Sequence, residues 1–248
     1  MKFYSPFGPY ILHAEVDENS HKNLLNSVLQ LEKERKSGPA ESTQRIITGD
    51  DRTAAYEDNS ISEGQMHQIK PDQVEIGEVI RSFTAEYFKQ FEILNPFCDD
   101  SGSIIKHKDY TDFETHEPLV KNVWYVVMKP GDFHIIHAHK VAGPGHIGET
   151  GYDIYMSGSI YLDVPEDIKP PQGNLNFSLG SHDEHLSNCQ WSITPKNGDV
   201  CVWPSWLKHF VYPFRSSGER IMISFNSIWK KKAKLRKSEM KIYNVEIS

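Results

Sequence analysis

Pro195–Asn226, PKNGDVCVWPSWLKHFVYPFRSSGERIMISFN, is the stretch whose reading decides the fold. Asp199 to Trp203 is rich in β-formers, Pro204 and Ser205 interrupt it, and Arg220 to Phe225 alternates again after the turn residues Ser216, Ser217 and Gly218. The segment therefore reads as strand, tight loop, strand, with His209 between the two strands and Arg220 opening the second. Because successive side chains on a strand alternate, Arg220, Met222, Ser224 and Asn226 share one face while Ile221, Ile223 and Phe225 share the other. A polar row backed by an apolar row suits a barrel whose interior holds a polar ligand.

Upstream, the same alternating period holds from residue 103. Val123 to Met128 reads as a strand, Lys129-Pro130-Gly131-Asp132 as a turn, and Ser159 to Val164 as a strand closed by Pro165, with Ser159, Tyr161 and Asp163 in one row. Gly173 to Phe177 and Trp191 to Thr194 add short strands. Many short strands separated by turn signals predict a mainly β sandwich or barrel. Before residue 100 the period is helical. One helix has Ser20 as its N-cap, a stripe of Leu24, Leu25, Val28, Leu29 and Leu31, and a stop at Ser37-Gly38-Pro39. A second begins near Pro71 and carries Val74, Val79, Ile80, Phe83, Tyr87, Phe88 and Phe91. Both are expected to pack outside a sheet. Residues 3 to 16 read as an extended lead-in, and the polar residues 38 to 68 as a surface loop, a lid or a disordered segment.

With 248 residues, 38% of them hydrophobic and 11% aromatic, the chain can bury one sizeable core. The expected organisation is a single domain: helical support over 1–100, a β core over 103–228 and a basic tail over 229–248. Trp229 to Lys241 holds seven basic residues and one acidic one, which reads as a solvated helix or tail. A net charge of -7 and a pI of about 5.9 argue against a general nucleic-acid binder. Cys98, Cys189 and Cys201 are odd in number and widely spaced, which fits neither a disulfide framework nor a zinc knuckle. With no apolar run of membrane-spanning length and no leader pattern at the start, the expectation is a cytoplasmic protein without membrane attachment. Sheet edges and exposed aromatics leave room for a homodimer.

The chemistry is carried by His137-Ala138-His139 together with His209. Two imidazoles at i and i+2 on a strand reach one metal from one edge, and a third from a facing strand completes one face of an octahedron. Arg220, eleven residues after His209, can fork onto a carboxylate with two parallel hydrogen bonds. Taken singly these residues say little: in a chain with twelve histidines an HxH pair is unremarkable, His134 and His146 lie close by, and Tyr161 reads as core. The ordered combination is the specific signal.

Residues 121 to 226 resemble the iron(II) and 2-oxoglutarate-dependent oxygenases, a branch common in phage and bacterial genomes and similar to the prolyl 4-hydroxylases. The matching words are PGDFHIIHAH, SGSIYLDVP, GNLNF, PKNGDV, WPSWLKHFVYP and RIMISFN. The resemblance implies a double-stranded β-helix, or jelly roll, of the cupin-like kind, with Fe(II), 2-oxoglutarate and O2 as cofactors. It implies hydroxylation of a peptidyl residue such as proline, or of a small molecule, with release of succinate and CO2, and a host-cytoplasmic location if the chain is phage-encoded. By the same resemblance His137 is the first iron ligand, His139 stands where the family usually has aspartate, and His209 is the distal ligand. Arg220 and Tyr161 would bind the far carboxylate of 2-oxoglutarate, and Ser224 would line that pocket.

Histidine in the middle position departs from the two-histidine, one-carboxylate pattern and leaves other readings open. Glu149 or Asp153 could be the third ligand. A three-histidine iron dioxygenase of the cupin type would need no 2-oxoglutarate, and a non-catalytic jelly roll could bind a ligand on the same scaffold.

Overall fold

The computed structural model describes residues 1–4, 10–37, 65–69, 74–94, 97–98, 104–105, 116–139, 154–180 and 189–231. Most of the 38–68 segment, the glycine-rich stretch 142–151 and the basic residues 232–248 lie outside the described residues. In chain order the elements are Lys2–Tyr4 (β1), Ile11–Glu15 (β2), Glu18–Ser37 (α1), Gln65–Ile69 (β3), Val74–Leu94 (α2), Phe97–Cys98 (β4), Ile104–Ile105 (β5) and His116–Met128 (β6). They continue with His134–His137 (β7), Ile154–Asp163 (β8), Leu175–Ser178 (β9), Gln190–Ile193 (β10), Asp199–Pro204 (β11), Lys208–Val211 (β12) and Arg220–Lys231 (β13).

The strands form a seven-stranded sheet, β1-β2-β11-β8-β13-β6-β3, and a four-stranded sheet, β10-β9-β12-β7, with a separate β4–β5 pair. All their pairings are antiparallel, and from β6 to β13 the chain alternates between the two sheets apart from the β9–β10 hairpin, as in the expected jelly roll. No helix among the described residues is long and apolar enough to cross a membrane.

Alternation along the large sheet sorts its side chains into two cores. Val123, Tyr125 and Val127 of β6, Ile160 and Leu162 of β8, Val200 and Val202 of β11, and Ile221, Ile223 and Phe225 of β13 face out and pack under the two helices. Trp124, Val126, Met128, Tyr161, Cys201, Trp203 and Met222 face in and meet Leu175, Phe177 and Val211 of the small sheet. The inward row predicted for β13 is thus the wall of the space between the sheets. Gly158 is required on β8, because a Cβ there would come within 2.2 Å of the Phe225 ring and 2.7 Å of the Cys201 carbonyl oxygen.

The helices lie where expected, with differences that have local causes. Asp17, not Ser20, caps α1: its carboxylate accepts hydrogen bonds from the Asn19 and Ser20 backbone N–H groups and from the Ser20 hydroxyl. Those bonds lower the Asp17 pKa. Leu24 and Val28 are buried as the stripe predicts, whereas Leu29 is 45% exposed and the third buried position belongs to Glu32. Burial alone would raise the Glu32 pKa, but hydrogen bonds from Arg35, Tyr125 and Lys36 outweigh it and hold the carboxyl at about 2. This cluster ties α1 to β6.

Three other expectations change. Residues 11 to 15 are a full strand of the large sheet, paired with β11. Trp229 is no tail residue: β13 runs on to Lys231, and Trp229 is completely buried, stacked on Phe88 of α2 at 4.6 Å. Asp163 leaves the inward row because a bulge lies between Ile221 and Met222 of β13, opposite β8, and its side chain is exposed.

Candidate metal centre

The turn Lys129–Asp132 delivers β7 to the small sheet. Gly131 sits at a φ of 95°, and the Asp132 carboxylate accepts the Lys129 backbone N–H at 2.7 Å. Pairing of β7 with β12 sets His137 directly opposite His209. His139 lies two residues past His137, just beyond the strand, and its backbone N–H donates to the Ser205 carbonyl at 2.9 Å. The ligating nitrogens of His137, His139 and His209 lie within 4.8 Å of one another. The three rings are 4.3 to 5.4 Å apart between centroids.

Hydrogen bonds orient every ring. His137 Nδ1 lies 2.7 Å from the Ile135 carbonyl and His209 Nδ1 lies 2.9 Å from the Leu207 carbonyl. A carbonyl only accepts, so both Nδ1 atoms carry the proton and both Nε2 atoms keep a lone pair. His139 Nδ1 is 2.6 Å from Asn226 Oδ1, and the Ser157 hydroxyl lies 2.9 Å from that oxygen and 2.9 Å from Ser205 Oγ. Strands β8 and β13 of the large sheet thereby fix the one imidazole that lies beyond a strand end. Three outward lone pairs, each held by a hydrogen bond on the opposite nitrogen, are the donor set a divalent transition metal takes.

Burial pushes the pKa of His209 well down, with His137 and His139 adding to it. His139 is lowered to about 4, chiefly by burial; the bond to Asn226 works in the opposite direction. Neutral imidazoles at neutral pH are the form that binds metal. The same shifts predict acid sensitivity. A histidine whose folded pKa lies below its unfolded value of 6.5 gains its proton first in the unfolded chain, so its contribution is intact above pH 6.5 and falls as pH drops toward 4. The metal-free protein is expected to lose about 1.4 kcal/mol per pH unit for each such histidine over that window. Thermal melting at pH 7.5, 6, 5 and 4.5 measures this. A melting temperature unchanged down to pH 5 would mean that the rings are not buried in the apoprotein.

Arg220 lies in the same interior and is fully buried. Its Nη1 donates to the Gly173 carbonyl at 2.6 Å and its Nη2 lies 2.7 Å from Met128 Sδ, but Nε has no partner among the described residues. The guanidinium is 5.7 Å from the Tyr161 ring centre and 5.4 Å from that of Phe214. The buried Tyr161 hydroxyl also lacks a hydrogen bond among the described residues. Gly173, at a φ of 66°, lets the backbone come this close: a Cβ there would stand 3.2 Å from Nη1. Among the described residues no carboxylate pairs with Arg220. A buried cation without a counter-ion among the described residues, next to an unpartnered hydroxyl, can receive an anion.

The structure thus brings His137, His139 and His209 into one cluster and Arg220 and Tyr161 into a second. Ser224 is buried on the same β13 row, but no hydrogen bond among the described residues joins it to Arg220. Glu149 and Asp153, the carboxylate alternatives, lie outside the described residues. Asn226, Ser157 and Ser205 support the cluster and were not singled out from sequence; only the position of Asn226 on the polar row pointed inward. An acidic groove lined by Asp163, Glu166, Asp167 and Glu219 contains none of the histidines.

Two antiparallel sheets with three imidazoles and a buried arginine between them make a double-stranded β-helix whose interior can hold a metal. Residues 122–226 match the family model described as "Putative 2OG-Fe(II) oxygenase". The match spans less than half of the chain, and iron(II) and 2-oxoglutarate are the cofactors that this family's description names. AviO1 from Streptomyces viridochromogenes Tue57 is similar in structure over 91% of this chain and 91% of its own, at 14% identity and a TM-score of 0.52. SnoK, a non-heme alpha ketoglutarate dependent carbocyclase from nogalamycin biosynthesis, is similar over 94% of this chain and 86% of its own, at 10% identity and a TM-score of 0.52. A Pseudomonas putida prolyl-4-hydroxylase covers 90% and is covered over 93%, at 14% identity and a TM-score of 0.49. At such identities AviO1 and SnoK speak to the fold alone. No curated protein sequence matches the chain.

Proposed function

We propose that the protein is an Fe(II)- and 2-oxoglutarate-dependent dioxygenase that hydroxylates a substrate C–H bond and releases succinate and CO2. The observation that carries this reading is the unpaired Arg220 with the unpartnered Tyr161 hydroxyl, set in the same interior as three outward Nε2 atoms. His137, His139 and His209 hold the metal through Nε2. Arg220 and Tyr161 take the far carboxylate of 2-oxoglutarate, with Ser224 lining the same wall, which leaves the 2-oxoacid end free to reach the metal. Iron(II) held there supplies dioxygen activation coupled to decarboxylation of the 2-oxoacid. The chain's own part is to orient the cosubstrate, keep the ligand rings neutral and exclude water with Trp203, Phe177 and Met222.

The all-histidine set favours one rival, a three-histidine dioxygenase in which Arg220 grips the substrate's own carboxylate. Anaerobic titration of Fe(II) into the protein, with and without 2-oxoglutarate, decides between them. A visible charge-transfer band that needs both components, followed by succinate formation on admitting O2, is the expected result. Iron binding with no band and no 2-oxoglutarate consumption gives the site to the rival, and absence of iron binding rejects both.

A further inference from the structure

A fourth imidazole lies in the interior, and neither the metal cluster nor the Arg220–Tyr161 pair accounts for it. His134 opens β7, three residues before His137. On a regular strand those two side chains would point to opposite faces. Here His137 stands opposite His209 and His134 opposite Val211, so β7 uses three residues where β12 uses two. The extra residue is a bulge, and it re-aims one side chain. His209 and Val211 share a face of β12, and Val211 belongs to the core between the sheets, so the bulge turns His134 inward beside His137. The two rings lie 6.5 Å apart at 76°.

His134 Nε2 is shielded from solvent and has no hydrogen-bond partner among the described residues. His137 lies beside it, and the charge of Arg220 reaches it as well. Its nitrogen falls outside the ligand set formed by His137, His139 and His209. Among the described residues Arg220 Nε, Tyr161 Oη and His134 Nε2 are buried and unpartnered in this interior, with Trp203 Nε1 a fourth. Two of them already face the anion site.

We propose that His134 donates an Nε2–H hydrogen bond to 2-oxoglutarate lying between the metal and Arg220, so that the cosubstrate is held by three donors. This rests on reading Arg220 and Tyr161 as the cosubstrate anchor. It also explains why a bulge is built at this point: without it, His134 would point away from the interior. Burial, with His137 and Arg220 close by, lowers the His134 pKa. An imidazole N–H adds direction and selectivity for the cosubstrate's shape beside the Arg220 fork.

The test uses His134→Leu, which keeps bulk and removes the donor, and His134→Gln, whose side-chain amide nitrogen falls near the position of Nε2. Affinity for 2-oxoglutarate is read from the anaerobic Fe(II) chelate band and, independently, by calorimetry on the Mn(II)-loaded protein. Metal affinity is read without cosubstrate. The expected result is a dissociation constant for 2-oxoglutarate about tenfold or more higher in His134→Leu, recovered to within a few-fold in His134→Gln, with metal affinity unchanged in both. Wild-type affinity in His134→Leu overturns the proposal, as does an equal loss of metal and cosubstrate binding with both variants folded by circular dichroism. If wild type itself binds iron but no 2-oxoglutarate, the anchor reading fails and this proposal falls with it. If wild type binds normally and His134→Leu does too, only the role of His134 fails.

Discussion

Replacing His209 with alanine is expected to lower Fe(II) affinity more than about a hundredfold and to abolish 2-oxoglutarate turnover. Loss of a hydrogen bond behind a metal ligand already costs about 10- to 100-fold, so loss of the ligand itself must exceed that. His209 is the only one of the three that comes from β12. The other two come from the end of β7 and the residue pair beyond it, so without His209 the metal keeps ligands from one chain segment only. Geometry adds to the loss. The Leu207 carbonyl fixes the His209 ring, and Trp203 packs edge-on against it at 4.9 Å. His209→Gln controls for the cavity that alanine leaves, because it keeps volume and a polar tip at the site. Competition against a fluorescent chelator under anaerobic conditions, with circular dichroism to show that both variants fold, provides the measurement. Fe(II) affinity within tenfold of wild type in folded His209→Ala would place the metal elsewhere and end the three-histidine assignment.

How much of this could be read from the chain follows from where the signals are local. The alternating face of β13 was legible because period 2 is a local rule, and it correctly separated the Arg220 row from the Ile221 row. The spacing of His137 and His139 gave their common side for the same reason, although β7 ends at His137 and the second ring owes its position to Ser205 and Asn226. What failed depends on partners distant in sequence. The bulges that turn His134 inward and Asp163 outward are properties of a strand pair, and neither strand alone reports them. The burial of Trp229 depends on α2, more than a hundred residues earlier, so a run of lysines following it read as tail. Asp17 took the cap from Ser20 because two residues of equal capping propensity stood close together, and only the backbone path chooses between them. Histidine in place of the usual carboxylate was visible at once, and its physical consequence is electrostatic. In the proposed site three neutral rings would leave a divalent metal's charge uncompensated until a dianionic cosubstrate arrived, so metal and 2-oxoglutarate would strengthen each other's binding.

Arg220→Met carries the largest expected effect on cosubstrate binding and an opposite effect on the empty protein. Truncating one partner of a buried charge pair costs about 2–5 kcal/mol, so the dissociation constant for 2-oxoglutarate should rise by about 30- to several thousand-fold. In the apoprotein the arginine is a buried cation whose only acceptors among the described residues are the Gly173 carbonyl and the Met128 sulfur, and burial already lowers its pKa. Methionine fills comparable space beside Met128, Met222 and Phe214 and carries no charge to desolvate. Replacing an uncompensated buried charge with packed apolar volume is neutral or stabilising by about 1–4 kcal/mol, so the melting temperature of the metal-free protein should hold or rise. Arg220→Lys should fall between, keeping the charge and losing the fork that pairs with both carboxylate oxygens. The paired measurement is melting of the metal-free protein and the added stabilisation by 2-oxoglutarate on the Mn(II)-loaded protein, which grows with ligand concentration over its dissociation constant. An arginine retained for packing would lose stability on replacement and leave cosubstrate binding intact. An anion receptor gives the reverse, a variant at least as stable when empty and no longer stabilised by 2-oxoglutarate, and wild-type binding in Arg220→Met would remove Arg220 from the cosubstrate site.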